Sequence, residues 1–274
     1  MRKKNIIVTA SHLAFILILL SLLFAYEKTG RKLFSFLTPM SLKPYACEDT
    51  VNVTPEYISN DLILVNRDHP IPSDFTPDPV FYRDTDVLMG SEIIESYGAL
   101  SDHIRETFGD RIYVSSTYRT TEDQTRIYEE EGPEIAAAPG TSEHQTGLAV
   151  DLYTMYHAGM AFLDSPVGRY VNEHCSDFGF IIRYPDGKED VTGFSFEPWH
   201  LRYVGQPHAR IISENDLTLE EYLDMLEPGS WYSYNEYVLG RVPEDNIVVP
   251  SSLAGCNMSF SRDLCGYVIV TIVT

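Results

Sequence analysis

Basic side chains are scarce in this chain. Its 274 residues carry 20 Lys and Arg against 40 Asp and Glu, a formal charge of −20. Phosphate contacts need clustered cations, so no nucleic-acid partner is expected. Cysteine is sparse as well: Cys47, Cys175, Cys256 and Cys265 include no Cys-x-x-Cys pair, which argues against a thiolate zinc site. There is no internal repeat, and 16 Pro with 17 Gly leave no low-complexity signature. What is present is 44% hydrophobic and 12% aromatic residues, enough to bury a sizeable core and exclude global disorder. The length suits one large domain with appendages.

The charge is unevenly placed. Residues 1–32 hold six basic groups and one acid, Glu27, so the remainder carries 14 basic against 39 acidic side chains. Between the basic clusters, Asn5 to Tyr26 contains no Asp, Glu, Lys or Arg, and its centre reads LAFILILLSLLFA. About 20 apolar residues cross a bilayer as a helix, and this run is long enough. A cleaved signal peptide is the alternative, but a small residue two before Ala25 is missing, since Leu23 stands there. Residues 1–26 are read as an uncleaved single-pass anchor in the cell membrane. Its flanks are nearly balanced in charge, and the α-amino group tips the orientation towards N-inside, C-outside, which puts the rest of the chain outside the cell.

Beyond the anchor, residues 27–56 read as a stalk with two prolines and weak periodicity. From Tyr57 the pattern becomes globular, with NDLILVN as a strand-like run. Ser91 is a candidate N-cap, Ile93, Tyr97, Leu100, Ile104 and Phe108 recur at helical spacing, and Gly109 ends the helix. Arg111–Ser116 alternates as a strand, Glu122–Glu130 reads as a short helix, and Gly147–Leu152 as a buried strand. Pro166–Phe178 reads as helix, Phe180–Tyr184 as strand, Phe194–Val204 as a last strand region broken at Pro198, and Leu217–Met225 as a closing helix. Residues 57–227 thus form the expected main domain and 228–274 a β-rich appendage. In that appendage Cys256 and Cys265 flank a turn-like CNMSFSRDLC; a disulfide and two free thiols both remain open.

Two of the eight histidines stand in unusual company. In Ser142-Glu143-His144-Gln145-Thr146-Gly147-Leu148-Ala149-Val150-Asp151 an aspartate ends a run of small and apolar residues. A carboxylate there is costly to ionise unless it caps a loop, pairs with an arginine or binds a cation. In Glu197-Pro198-Trp199-His200, Pro198 prevents regular strand pairing, so Glu197 and His200 can turn into one cleft. Two histidines and an aspartate supply three ligands and leave a fourth tetrahedral position for water, as catalytic zinc requires. A carboxylate nearby that is not a ligand is then the natural proton acceptor. A two-histidine, one-carboxylate iron site is a further reading, but His144 and Asp151 are seven apart, where such sites tend to space them by two.

Taken together, Ser-x-His-x-x-Gly-x-Ala-x-Asp followed by Glu-x-Trp-His resembles the VanY-type D-alanyl-D-alanine carboxypeptidases. These belong to a metallopeptidase group that also includes lysostaphin-type enzymes and the sonic hedgehog domain. Ser116-Thr117-Tyr118-Arg119 with Gln124, PGTSEHQTGLAVDLY and GFIIRYPDGKEDVTGFSFEPWHLRYVG extend the similarity over roughly residues 60–226. The resemblance implies an α+β fold in which a small antiparallel sheet, flanked by helices, carries a Zn2+ site. It implies His144, Asp151 and His200 as zinc ligands, Glu197 as catalytic base, and Arg119 as the cation for the substrate carboxylate or the developing oxyanion. Gln124 and Ser142 are implied to line the site. The implied activity is release of the C-terminal D-alanine from peptidoglycan stem peptides or their precursors. An L,D-carboxypeptidase acting on tetrapeptide stems and a catalytically silent, metal-bearing wall-binding module are the alternatives. One departure is Thr117, where the family commonly has Gly; it puts the local turn shape in doubt.

Overall fold

The computed structural model describes residues 41–133 and 135–274. The proposed anchor and the first part of the stalk, residues 1–40, lie outside the described residues; among those described, no helix is long and apolar enough to cross a membrane. The strands begin inside the segment read as stalk. β1 (Lys43–Pro44) and β2 (Thr50–Asn52) are followed by a hairpin of β3 (Pro79–Phe81) and β4 (Leu88–Gly90). β5 (Tyr113–Ser116), β6 (Ala149–Tyr153), β7 (Phe180–Ile182) and β8 (His200–Tyr203) form an antiparallel sheet in the order β5-β6-β8-β7. The C-terminal strands are β9 (Trp231–Tyr234), β10 (Tyr237–Pro243), β11 (Val248–Pro250), β12 (Met258–Arg262) and β13 (Tyr267–Val273). They make a second sheet, β1-β9-β10-β13-β12, while β11 pairs with β2.

Residues 43–52 are therefore not a free stalk. Tyr45 N donates to Trp231 O at 2.8 Å and Val53 N to Ile247 O at 3.0 Å, so this segment adds β1 to the edge of the five-stranded sheet and pairs β2 with β11. Its proline-broken, weakly periodic sequence hides that role because an edge strand needs a partner's backbone more than it needs a pattern of its own.

Helix α1 (Ile94–Phe108) follows a 3-10 turn at Ser91–Ile93 and ends on Gly109, whose φ of 62° only glycine adopts without strain. Its Tyr97, Leu100 and Ile104 are buried against Val150, Leu152 and Leu201 of the four-stranded sheet, in one core with Phe162, Val171 and Phe180. Helix α2 (Thr121–Glu131) opens with the Thr120 hydroxyl accepting from Asp123 N. α3 (Pro166–His174) starts on a Ser165 cap with proline at its first turn, and α4 (Glu189–Thr192) is a single turn. α5 (His208–Glu214) and α6 (Leu219–Met225) follow; at α6, Thr218 and Glu221 form a reciprocal capping box.

Three sequence expectations are corrected. NDLILVN is buried but is no strand: Leu62 N donates to the Ser261 hydroxyl, Leu64 N to Asp263 O, and the Asp61 and Ile63 carbonyls accept from Arg202. Its apolar run signals burial, and irregular partners satisfy its backbone in place of a ladder. The strand region at 194–204 shrinks to His200–Tyr203, because Glu197–His200 is a turn closed by His200 N onto Glu197 O at 3.1 Å. CNMSFSRDLC is not a turn either but carries β12, and Cys256 and Cys265 are both free thiols.

The division at 227/228 is not a break in packing. Leu62, Ile181, Ile212 and Leu223 share one buried cluster with Tyr234, Leu239 and Ile269 of the C-terminal strands, and Ser41–Thr274 forms one compact unit. His208 ties α5 to both α6 and β13, with Nδ1 at 2.6 Å from Tyr222 Oη and Nε2 at 3.0 Å from Thr271 Oγ1. Burial pushes its pKa down to about 3. The unfolded imidazole takes a proton near pH 6.5 and the folded one does not, so His208 contributes full stability above about pH 6.5 and loses it as pH falls towards its folded pKa. At pH about 5 the loss from this group is about 2 kcal/mol. Urea unfolding midpoints followed from neutral to mildly acidic pH should therefore fall more steeply for the wild type than for His208→Gln, whose amide keeps one donor and one acceptor. Parallel pH profiles would count against this coupling.

Candidate active site

Three elements bring the polar cluster together. Asp151 sits in the inner strand β6, opposite Ser116 on β5 and opposite His200 on β8. Directly opposed residues of an antiparallel pair project from the same face, so register alone places Asp151 beside His200. His144 comes from a short 3-10 turn, Glu143–Thr146, that leads into β6. That turn ends on Gly147 with φ 81°, and a Cβ there would come 3.0 Å from the Gly90 backbone at the end of β4. The left-handed conformation and the close approach both demand glycine at 147.

His144 Nε2 lies 3.2 Å from Asp151 Oδ2, and His200 Nδ1 lies 2.9 Å from Asp151 Oδ1. One nitrogen or oxygen from each residue falls within 4.8 Å of the others, which is the spacing of ligands around one ion. Glu197 Oε2 is 3.7 Å from His200 Nδ1 and is about a quarter exposed, at 24%. The turn at Pro198-Trp199 brings it to the same side as His200. Arg119 Nη2 stands 3.7 Å from Asp151 Oδ2. Its guanidinium is held by Ser116 Oγ, which accepts from Nε at 2.9 Å and Nη2 at 2.6 Å, and by Gln124 Oε1, which accepts from Nη1 at 3.1 Å. These groups open on a cleft of about 280 Å3, walled by Ser142, Tyr184, Phe194, Trp199 and Ile135–Ala137.

Gln124 is not among the residues that line the cleft. It is fully buried, donates to Ala137 O at 2.8 Å, and so links the guanidinium to the cleft wall. Ser142 is buried at that wall. Thr117 is no idle departure from the family pattern: its hydroxyl donates to Leu88 O on β4 and its carbonyl accepts from His144 Nδ1 at 2.9 Å.

Does the cluster suit a metal ion? The bond to Thr117 O puts the His144 proton on Nδ1, leaving the Nε2 lone pair facing a carboxylate oxygen. Two acceptors do not hold each other there without a cation between them. Asp151 Oδ1, although 2.9 Å from His200 Nδ1, is a buried oxygen with no aligned hydrogen bond. The protonation equilibria carry the same imbalance. Burial would raise the Asp151 carboxyl, but the two imidazoles beside it hold it well below the usual carboxylate range. Burial lowers His144. It would also lower His200, yet Asp151, Glu143 and Glu197 around that ring raise it to about 9. The site is short of positive charge, and a divalent cation fits it.

The sequence reading missed one layer of this site. Glu143, Arg183 and Arg202 form a fully buried ion-pair cluster directly behind His200. No local pattern marks it, because its members lie 40 and 59 residues apart in pairs.

An antiparallel sheet that gathers two imidazoles and one carboxylate at a cleft, with a further carboxylate and a guanidinium beside them, is the framework of a metallohydrolase. The family model for VanY, D-alanyl-D-alanine carboxypeptidase, matches residues 87–206, and the chain belongs to this family. The bifunctional D-Ala-D-Ala dipeptidase and D-Ala-D-Ala carboxypeptidase VanXYC of Enterococcus gallinarum is 35% identical over 184 residues, covering 61% of this chain and 95% of that protein. The solved VanXYg D,D-dipeptidase, in complex with a D-Ala-D-Ala phosphinate analogue, superimposes with a TM-score of 0.67 at 28% identity, covering 82% of this chain and 99% of its own. A VanY D,D-pentapeptidase variant in complex with Zn(II) gives 0.54 at 37% identity, covering 60% of this chain and 98% of its own. The broader coverage by VanXYg is more than residues 57–227 could supply, so that likeness extends beyond the peptidase core.

Proposed function

We propose that this protein is a zinc-dependent carboxypeptidase that removes the C-terminal D-alanine from peptidoglycan stem peptides or their precursors. The observation that carries this reading is the convergence of His144, Asp151 and His200 on one centre, beside Glu197 and Arg119 in a single cleft. Family membership and the substrates named for the relatives support it.

His144 Nε2, an Asp151 oxygen and His200 Nδ1 are the atoms that would hold zinc. When bound, zinc supplies Lewis-acid polarisation of the scissile carbonyl and acidifies the attacking water. Glu197 accepts the proton of that water as its oxygen adds to the carbonyl carbon, and it passes the proton to the departing amine as the C–N bond breaks. Burial raises the Glu197 carboxyl above its ordinary pKa, which suits a group that must both take and return a proton. Arg119 meets the terminal carboxylate or the oxyanion with a guanidinium whose orientation Ser116 and Gln124 have already set. Tyr184, Phe194 and Trp199 present an apolar wall that limits water around the peptide.

D-alanine release from pentapeptide and tetrapeptide stems, assayed side by side with and without chelator, tests the proposal. Chelator-sensitive release from the pentapeptide is the expected result. Preference for the tetrapeptide makes the enzyme an L,D-carboxypeptidase, and no release from either, with zinc bound, makes it a wall-binding module. Arg119→Lys should retain zinc and lose about 100- to 1000-fold in kcat/KM, the usual effect of removing one donor to a developing charge. Lysine's single nitrogen cannot reproduce the planar fork that bonds Ser116 and Gln124 through three nitrogens while facing the substrate. An unchanged kcat/KM would remove Arg119 from the mechanism.

The same proposal places the catalytic domain outside the cytoplasmic membrane, tethered by the charge-free run from Asn5 to Tyr26. Recovery of the full chain in the membrane fraction, released by detergent but not by high salt, is expected. Release by salt alone would argue for a peripheral or secreted protein.

A further inference from the structure

His200 has two ring nitrogens, and only one can face the metal centre. Nδ1 does so, 2.9 Å from Asp151 Oδ1. Nε2 points the other way, into the protein, where it is buried and has no hydrogen bond. The group it meets is Glu143 Oε2, at 3.7 Å, which is likewise buried and unpartnered. Buried polar atoms are nearly always satisfied. Two facing orphans of complementary character therefore form a pair, and an approach of about an ångström or less completes an N–H···O bond between them.

Glu143 is held for this purpose from its other oxygen. Oε1 accepts from Arg183 Nε at 2.6 Å and from Arg202 Nη1 at 2.7 Å, while Oε2 is left to His200. Both arginines are anchored in turn. Arg183 forks onto Glu220 at 2.9 and 2.6 Å, and Arg202 donates to Ile63 O, Asp61 O and Tyr203 O. The side chains of Glu143, Arg183 and Arg202 are fully buried. With Glu220 the four charges cancel, which is the condition under which a carboxylate can stay ionised in a protein interior.

We propose that Glu143 is a positioning residue for the metal centre: through Oε2 it holds the His200 ring with Nε2 protonated and Nδ1 free for zinc. It acts through His200 and does not touch the substrate. A carboxylate behind a ligand histidine fixes the tautomer and strengthens the ligand. Glu143 also adjoins His144 in the chain, so one residue joins the placement of two ligands. The inference rests on the reading of His200 as a zinc ligand.

Zinc affinity of the full chain, measured by competition with a chelator for wild type and Glu143→Gln, tests it. Glutamine keeps an oxygen for the two arginines but turns an N–H2 towards Nε2, which favours the tautomer with its proton on Nδ1. A loss of about 10- to 100-fold in zinc affinity is expected. A purely structural role would lower the unfolding midpoint of the zinc-free protein and leave the affinity of the folded protein unchanged, and that result would overturn the proposal. Should the variant fail to fold, the side-chain 15N–1H spectrum of the wild-type zinc protein decides. A slowly exchanging proton on His200 Nε2 is expected, and a proton on Nδ1 instead would refute the assignment. A wild type that binds no zinc fails at the earlier step, the metal reading itself.

Discussion

Glu197→Gln is expected to bind zinc with wild-type stoichiometry and to lose hydrolysis by about 1000-fold or more, near the upper part of the range for a positioned general base. The residue stands beside the proposed ligands without being one of them: Oε2 is 3.7 Å from His200 Nδ1, whereas Asp151 Oδ1 is at 2.9 Å. Glutamine matches glutamate in shape, so the turn through Pro198 and the cleft wall should be kept while the proton acceptor is lost. The side chain is partly buried, and burial raises its pKa. Metal analysis and D-alanine release on the same preparation are the required measurements. Substantial turnover with zinc retained would show that another group takes the proton.

Asp151→Asn is expected to act one step earlier, by losing the metal. In the proposed zinc site Asp151 is the single anionic ligand, and it lies between His144, His200 and Arg119. An amide at this point cannot balance a divalent cation held by two neutral imidazoles. Loss of outer partners alone weakens metal sites by about 10- to 100-fold, so loss of this ligand should exceed about 100-fold. Zinc added back after chelation should restore the wild type and leave Asp151→Asn inactive. Its far-UV spectrum should be unchanged, because the β6 backbone pairs with β5 and β8 whichever side chain stands at 151. Wild-type zinc affinity in this variant would mean that the ion, if any, sits elsewhere.

That Glu197 and His200 turn into one cleft was legible before any fold was known, since Pro198 prevents regular strand pairing between them. Gln124 shows the limit of such reading. Its proximity to Arg119 in sequence is real, but the hydrogen bond from Nη1 places it under the guanidinium, out of the cleft. Residues 43–52 show a second limit: a few residues of edge strand carry no periodicity, and only pairing with β9 and β11 identifies them. The apolar run at 62–65 shows a third, since hydrophobicity reported its burial correctly and said nothing of its backbone partners.

Local chemistry and short spacing were enough to mark helix α1, the loop carrying His144, the strand carrying Asp151 and the turn before His200. These depend on periodicity, glycine and proline, which act within a few residues. Tertiary structure alone decided that β6 and β8 align Asp151 with His200, that α5 and β13 meet at His208, and that two arginines, one just after β7 and one on β8, brace Glu143. Such contacts are set by strand register and by the pairing of buried charge across the fold, and neither leaves a repeating mark along the chain.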